Sequence, residues 1–234
     1  MKNKTKIALF VCDPKCSVQS TNGVMNALSP HFNFKVFSKN EVEDGFFDDV
    51  EMVVFPGGIG DSDSYDTILK KNKKAVVNYV RKGGKYLGIC MGAYWAGKDY
   101  FNILDEVDVI QYIKHPSSRT KRPHAKNMLT NWHNGHYEHM FFYDGPTYVG
   151  HGSYKCLATY DESGCPMAIQ QNNIMLIGCH PESEQFWYDS YSWMKGKYHN
   201  GQHHEILLDL IDEDRKSTRL NSSHVSESRM PSSA

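Results

Sequence analysis

Short apolar runs alternate with stretches of helical periodicity through the first half of the chain. Ile7–Cys12 and Met52–Phe55 are continuous apolar runs, which is typical of strands buried on both faces of a sheet. In Lys73–Lys82 the apolar residues fall on one helical face, and the Gly-Gly pair that follows predicts a helix end. The pattern predicts strands at Lys6–Cys12, Phe32–Phe37, Val50–Phe55 and Lys85–Ile89, and helices at Ser17–Leu28, Lys73–Lys82 and Met91–Lys98. This alternation predicts a parallel sheet with helices on both faces.

Strand patterns dominate the second half of the chain. Asn172-Asn173 separates two of the strands by a two-residue turn, which supports a hairpin. Pro116–Asn127 is polar and basic, which indicates a loop excursion. We predict strands at Asp105–Lys114, Tyr137–Tyr143, Lys155–Tyr160, Met167–Gln171 and Ile174–Cys179, and closing helices at Phe186–Met194 and His203–Ile211. An antiparallel strand meander is therefore expected to be appended to the α/β core.

The end of the chain differs in character from the rest. Arg215–Ala234 contains seven serines and only four apolar residues, which follow no period. Such a composition cannot bury a face, so the segment is predicted to be disordered. It also resembles translated vector sequence, and we expect it to be non-native. The predicted domain therefore spans residues 5–211.

Composition excludes several classes of protein. The 234 residues are 40% hydrophobic, which is enough for the core of one ordinary domain. The net charge of -1 gives no basic excess for nucleic-acid binding, and no apolar run approaches the length of a membrane span. The segment after Met1 lacks the features of a secretory signal, so the six cysteines are interpreted as thiols of a cytoplasmic protein.

The most specific chemical pattern is Gly88-Ile89-Cys90-Met91-Gly92, between a predicted strand and a predicted helix. Glycines two residues before and after a nucleophile are typical of the tight strand–turn–helix elbow that exposes it. At such a position the thiolate of Cys90 would be favoured by the backbone N–H groups that begin the helix. The alternative interpretation is a small buried residue, which is common for cysteine.

Two further segments follow predicted strands and supply the partners that a cysteine nucleophile needs. In His180-Pro181-Glu182, the imidazole of His180 is a candidate base and acid, and Glu182 is a candidate to orient it. In Pro56-Gly57-Gly58, the backbone N–H groups, together with that of Met91, are candidate donors to an oxyanion. Either segment by itself could also be an ordinary surface turn or loop.

The order of these three segments resembles class I glutamine amidotransferases. The resemblance is closer to the N-terminal domain family of biotin-protein ligases, through PGG at 56–58, VRKGGKYLGICMGAY at 80–94 and YDGP at 143–146. It covers about residues 5–211 and is most specific at 83–94. It implies an α/β flavodoxin-like three-layer sandwich with a mostly parallel central sheet and an appended antiparallel strand meander.

The resemblance also implies roles for individual residues. Cys90, His180 and Glu182 would form the catalytic triad, and Gly58 and Met91 would be the oxyanion donors. Gly57 and Tyr94 would line the substrate pocket. No cofactor and no metal are implied.

The chain departs from both families at identifiable places. The sequence carries no biotin-ligase catalytic domain and no Gly-Arg-Gly-Arg-type loop, so biotin ligation is not predicted. Ala93-Tyr94-Trp95 follows the elbow where amidotransferases commonly carry a glutamine. The substrate is therefore given only as a small amide or acyl compound, with a protein partner that would receive ammonia or the acyl group.

Three functions remain open from the sequence. The first is a cysteine-dependent hydrolase or amidotransferase that uses the triad. The second is a ligand-binding or regulatory module on the same fold, and the third is a redox sensor that acts through Cys90. His133, His136 and His139 recur every three residues, but no familiar zinc spacing accompanies them, so no metal site is predicted.

Overall fold

The computed structural model describes residues 6–11, 18–43, 45–58 and 63–211, and it has eleven strands and six helices in these ranges. The strands are β1 Lys6–Phe10, β2 Asn33–Phe37, β3 Met52–Phe55, β4 Lys85–Ile89, β5 Val107–Gln111, β6 Lys126–Trp132, β7 Tyr137–Phe142, β8 Pro146–Gly150, β9 Lys155–Tyr160, β10 Pro166–Gln171 and β11 Ile174–Ile177. The helices are α1 Val18–Leu28, α2 Ser64–Ile68, α3 Lys73–Arg81, α4 Met91–Trp95, α5 Gln185–Asp189 and α6 at 202–211.

Nine of the described strands form one mixed sheet in the order β2-β1-β3-β4-β11-β10-β9-β6-β7. The first five are parallel to one another, and the other four continue the sheet with antiparallel pairing. β5 and β8 pair in a separate two-stranded ribbon. The mixed α/β class with a large sheet, predicted from the alternation of strands and helices, is confirmed.

The strands of the parallel half have side chains in two different hydrophobic clusters. Ile7 and Leu9 of β1 belong to a cluster that includes residues of α1 and α6. Ala8 and Phe10 of the same strand belong to a second cluster, which includes residues of α3 and α4. Because successive side chains point to opposite faces of a strand, the parallel strands are buried on both sides.

The topology brings the candidate segments to one edge of the sheet. β3, β4 and β11 are adjacent and parallel, so their carboxyl ends lie side by side. The Pro-Gly-Gly segment follows β3, Cys90 follows β4, and His180 comes shortly after β11. Ligands bind at the carboxyl ends of strands in open α/β sheets, so this edge is the expected place for a site.

Several sequence predictions need correction. β6 and β8 are absent from the predicted strands, and β6 begins at Lys126, inside the stretch Pro116–Asn127 that was predicted as a loop. The helix predicted at Phe186–Met194 is limited to α5, and the one predicted at Met91–Lys98 is limited to α4. Turns replace the missing helical turns in both places. The hairpin at Asn172-Asn173 is confirmed, with Asn172 at a φ of 53°.

Other predictions fall outside the described residues. These are the end of the first strand and the beginning of the first helix, with Cys12 and Cys16, and the segment Arg215–Ala234. The domain limits of 5–211 stay a prediction. None of the helices in the described part of the chain is long and apolar enough to cross a membrane.

Candidate active site

Cys90 occupies a sharp turn between β4 and α4. Its φ of 48° lies in a region that residues other than glycine rarely adopt, and its carbonyl accepts the first hydrogen bonds of the helix, from Ala93 and Tyr94. A Cβ atom on Gly92 would lie 1.9 Å from the Phe55 carbonyl oxygen. β3 and α4 therefore pack too closely for any residue but glycine at this position.

The backbone around Cys90 is fixed to both neighbouring strands. Its N–H donates to the Ile177 carbonyl of β11 at 2.8 Å, and the Gly92 N–H donates to the Pro56 carbonyl at 3.2 Å. The second bond holds the Pro-Gly-Gly segment against the elbow. The Cys90 sulfur itself is 3.7 Å from the Tyr143 carbonyl oxygen, and the residue is only 7% exposed.

His180 and Glu182 form a buried pair beside the elbow. The Nδ1 atom of His180 donates to Oε1 of Glu182 at 2.8 Å, and the two residues are 5% and 0% exposed. The backbone N–H of His180 donates to the Phe141 carbonyl at 2.9 Å, which fixes the segment to β7. The second carboxylate oxygen of Glu182 has no hydrogen-bond partner among the described residues.

His180 also contacts the cysteine. Its imidazole lies close enough to Cys90 for the cysteine to influence its pKa, and because Nδ1 is held by Glu182, Nε2 is the ring nitrogen left for the sulfur. Burial lowers the pKa of His180, but the negative charges of Glu182 and Cys90 outweigh this effect and raise the pKa to about 10. The imidazole is therefore protonated at neutral pH.

Ser20 joins this group of residues, and the sequence analysis did not identify it. Its hydroxyl donates to Oε1 of Glu182 at 2.6 Å and accepts the N–H of Gly57 at 2.8 Å. The residue lies in the first turn of α1 and is fully buried. No periodic signal in the sequence marks it, because its partners are brought to it from 37 and 162 residues away.

The structure places the predicted oxyanion and pocket residues at the same edge of the sheet. Gly58 ends the segment after β3, and Met91 directly follows Cys90 as the first residue of α4. A Cβ on Gly57 would lie 2.6 Å from Cε1 of His180, so this glycine faces the imidazole. Tyr94 is partly buried, and its hydroxyl donates to the Asp144 carbonyl at 3.0 Å. Their roles in a reaction stay predictions.

Aromatic side chains cover the other side of His180. The ring centroids of Phe141 and Trp187 lie 5.9 Å and 5.3 Å from the imidazole, and Tyr188 packs against Phe141. Trp187 and Tyr188 are buried, whereas Phe186 is 44% exposed. The aromatic stretch after Glu182 therefore packs in part as core and in part as the wall of the candidate site.

Two surface cavities lie away from the cysteine. One of about 230 Å³ is lined by residues of β6, β7, α6 and the turn between the two strands, including His133, His136 and Glu138. The other, of about 350 Å³, is lined by residues of β6 and β9 and includes Cys156. Neither is lined by Cys90 or His180. Among the described residues, no group of three or more His, Cys, Asp or Glu side chains is arranged to hold a metal ion, and His133, His136 and His139 form no such group.

A second cysteine–histidine contact lies outside the candidate site. The sulfur of Cys165 is 3.2 Å from Nδ1 of His115. The same Nδ1 accepts the Ser117 N–H at 3.2 Å, so this ring nitrogen carries a lone pair and the thiol is the donor. No carboxylate orients His115 in the way that Glu182 orients His180, among the hydrogen bonds of the described residues.

The fold is similar to that of several solved structures, which include a glutamine amidotransferase. One chain of the PurLQS structure from Thermotoga maritima matches with a TM-score of 0.62 at 15% identity, covering 89% of this chain and 99% of that one. A glutamine amidotransferase from Thermotoga maritima matches with a TM-score of 0.59 at 12% identity, covering 92% and 93%. The protein SMU.1228c matches with a TM-score of 0.66 at 12% identity, covering 90% and 100%.

The sequence also matches one family model. A family model described as the N-terminal region of biotin-protein ligase matches residues 12–114. The resemblance to that family, predicted from the elbow and the segments around it, is confirmed over these residues. No curated protein matches the chain. At identities of 10–15%, the structural relatives show the shared fold and do not establish a shared reaction.

Proposed function

We propose that the protein is a cysteine-dependent hydrolase or amidotransferase that acts on a small amide or acyl compound. In this proposal Cys90 is the nucleophile, His180 transfers the proton, and Glu182 orients the imidazole. The observation that supports it best is the buried His180–Glu182 hydrogen bond beside Cys90 at the carboxyl edge of the sheet, with Cys90 in a strained turn.

The first half of the reaction forms a thioester. The Cys90 sulfur bonds to the carbonyl carbon of the substrate, and the oxygen takes up the negative charge. The N–H groups of Gly58 and Met91 are proposed to stabilise this oxyanion. The carbon–nitrogen bond then breaks, and the imidazolium of His180 gives its proton to the departing amine, which leaves as ammonia or an amine.

The second half releases the acyl group. His180, now neutral, removes a proton from water as the water oxygen bonds to the thioester carbon. The carbon–sulfur bond breaks, the acid leaves, and the thiolate and imidazolium are restored. An amine that replaces water would turn hydrolysis into acyl transfer. Gly57 and Tyr94 are proposed to border the space that the substrate occupies.

Alkylation by iodoacetamide tests the proposal without a known substrate. Trypsin would release Cys90 in the peptide 86–98, which contains no other cysteine, so mass spectrometry can follow its rate separately. We expect wild-type Cys90 to react well below pH 8.5, the usual range for a thiol, and His180→Ala to slow it about tenfold or more at pH 7. His115→Ala is the matched control, because it removes the histidine of the other contact.

Two results would contradict the proposal. One is a Cys90 that reacts no faster than the half-buried Cys156, and the other is an equal rate in wild type and His180→Ala. Either would favour the ligand-binding module, in which the fold persists without an activated thiol. Rapid formation of sulfenic acid at Cys90 under dilute peroxide, without acylation by any ester, would favour the redox sensor.

The layer arrangement of the fold, the cellular location and a partner protein are part of the same proposal. The parallel strands with their helices are proposed to form the flavodoxin-like three-layer core, and the antiparallel strands the unit appended to it. We propose a cytoplasmic location, which the free thiols of Cys90, Cys156, Cys165 and Cys179 support. A partner protein that takes ammonia or the acyl group is proposed from the glutamine amidotransferase relative.

A further inference from the structure

Ser20 connects two parts of the candidate site that are otherwise separate. One side of its hydroxyl is bound to the carboxylate that orients His180, at 2.6 Å. The other side accepts the N–H of Gly57, at 2.8 Å, in the segment that ends with the proposed oxyanion donor Gly58. One buried oxygen therefore holds both the acid–base pair and the oxyanion segment.

The direction of these two bonds is fixed by their chemistry. A backbone N–H can only donate, so Ser20 Oγ must accept from Gly57, and its single proton is then directed to Glu182. Glu182 Oε1 receives donors from both Ser20 and His180. Hydrogen bonds to a charged group are the stronger ones, so the carboxylate anchors the arrangement.

The helix that carries Ser20 is held closely against the site. A Cβ on Gly23, one turn further along α1, would lie 2.2 Å from the Glu182 carbonyl oxygen. On the other side, the Thr21 hydroxyl donates to the Phe10 carbonyl at the end of β1, at 3.2 Å. The close approach of the Gly23 backbone to Glu182 therefore fixes the part of α1 from which the Ser20 hydroxyl reaches its two partners.

We propose that Ser20 is a positioning residue that makes the acid–base pair and the oxyanion segment a single unit. Because the N–H of Gly57 donates to the Ser20 hydroxyl, the N–H of Gly58 is the one proposed for the oxyanion. The hydroxyl also donates to Glu182 and so keeps this carboxylate aligned with His180. The inference rests on the proposed function, because it assigns Ser20 a part in the same reaction. Outer residues of this kind typically change activity by about 10- to 100-fold when they are removed.

Two reactions of Cys90 separate the positioning role from a general loss of structure. In acylation by p-nitrophenyl acetate, the sulfur bonds to the acetyl carbon, an oxyanion forms, and p-nitrophenolate leaves. In alkylation by iodoacetamide, the sulfur bonds to the methylene carbon and iodide leaves, and no oxyanion forms. A misplaced oxyanion segment therefore slows the first reaction more than the second.

The decisive variant is Ser20→Ala, with Ser20→Thr as the conservative variant that keeps a hydroxyl. Acylation and alkylation of Cys90 are both measured in the tryptic peptide 86–98. We expect Ser20→Ala to slow acylation by about tenfold and alkylation by about threefold or less. Ser20→Thr should recover much of the acylation rate. Thr21→Val is the matched control, since it removes a buried hydroxyl one residue away that binds Phe10. Ser20→Cys, which keeps the side-chain shape, replaces Ser20→Ala in the comparison if the alanine variant does not fold.

The outcomes distinguish this inference from the proposed function. A wild type that forms an acetyl thioester at Cys90, together with a Ser20→Ala variant that forms it equally fast, overturns the role of Ser20 alone. Equal slowing of acylation and alkylation in Ser20→Ala and in Thr21→Val also overturns it, because this pattern indicates a structural role only. A wild type that forms no thioester, and whose Cys90 alkylates independently of His180, contradicts the proposed function itself.

Discussion

The Nδ1 atom of His180 lies 2.8 Å from Oε1 of Glu182, and both side chains are almost completely removed from solvent. Burial of a carboxylate costs free energy unless the charge is paired, and the imidazole of His180 supplies this pairing. The carboxylate fixes the orientation of the ring and keeps it protonated, with a pKa of about 10. The histidine is thereby prepared to give a proton before it accepts one.

Replacement of the carboxylate tests this relationship directly. In Glu182→Gln one of the two negative charges that raise the pKa of His180 is lost while burial remains, so this pKa should fall from about 10 towards its ordinary value. We expect alkylation of Cys90 at pH 7 to slow by about tenfold, and the imidazole titration observed by NMR to move to lower pH. Glu184→Gln is the control, because Glu184 bonds to Asn26 at the surface. An imidazole that still titrates near pH 10 in Glu182→Gln would refute the assigned cause.

The elbow should be intolerant of a single methyl group. Gly92→Ala places a Cβ 1.9 Å from the Phe55 carbonyl oxygen, where backbone has to move. We expect a loss of at least about 3 kcal/mol in the free energy of unfolding, measured by urea denaturation. Gly135→Ala is the control, since its φ of 83° is unfavourable for alanine but nothing lies within 4 Å. It should cost about 1 kcal/mol, and equal losses in both variants would contradict the close packing.

Acid should destabilise the protein through two buried histidines. Burial lowers the pKa of His199 to about 4. Burial and the nearby charge of His199 lower the pKa of His203 to about 3, although a carboxylate oxygen of Glu138 lies 3.6 Å from Nε2 of His203. The unfolded chain binds these protons from about pH 6.5 downwards and the folded chain does not, so stability falls as the pH falls from 6.5 to 4. We expect the Tm to drop by roughly 5 °C or more over this range.

A variant isolates the histidine contribution to this acid sensitivity. His203→Gln removes one of the two groups and should make the Tm less dependent on pH between 6.5 and 4. The comparison is made by thermal unfolding at a fixed ionic strength. A Tm that stays constant in the wild type, or rises towards pH 4, would show that these histidines are not held neutral in the fold.

The two cysteine–histidine contacts should be independent of each other. His115→Ala removes the acceptor 3.2 Å from the Cys165 sulfur, whereas His180→Ala removes the cation beside Cys90. We expect each variant to change the alkylation rate of its own cysteine, by about threefold or more, and to leave the other within about twofold. Fragmentation of the peptide 156–195 separates Cys165 from the other thiols there. A His180→Ala effect on Cys165 would indicate coupling through the sheet.

The elbow could be predicted because all of its requirements are local. The strand, the close-packed glycine and the cysteine lie within a few residues, and parallel topology then brings His180 to the same edge. Ser20 could not be predicted, since its role depends on packing between α1 and two distant segments. β6 was missed for a different reason. Its inward position Thr130 is polar and is satisfied by the Glu138 carbonyl, so the strand lacks a clear apolar alternation.

The central position of β11 has a consequence for how the chain acquires its site. β11 lies between β4 and β10, although 84 residues separate the end of β4 at Ile89 from its first residue, Ile174. Strand pairs that are distant in sequence form slowly. During synthesis, β1 to β4 are therefore complete well before β11, which pairs with β4 in the middle of the sheet. Until that strand docks, β4 has an open edge and Cys90 has no histidine. On the proposed function, the thiol would therefore be activated last, as part of the step that completes the sheet.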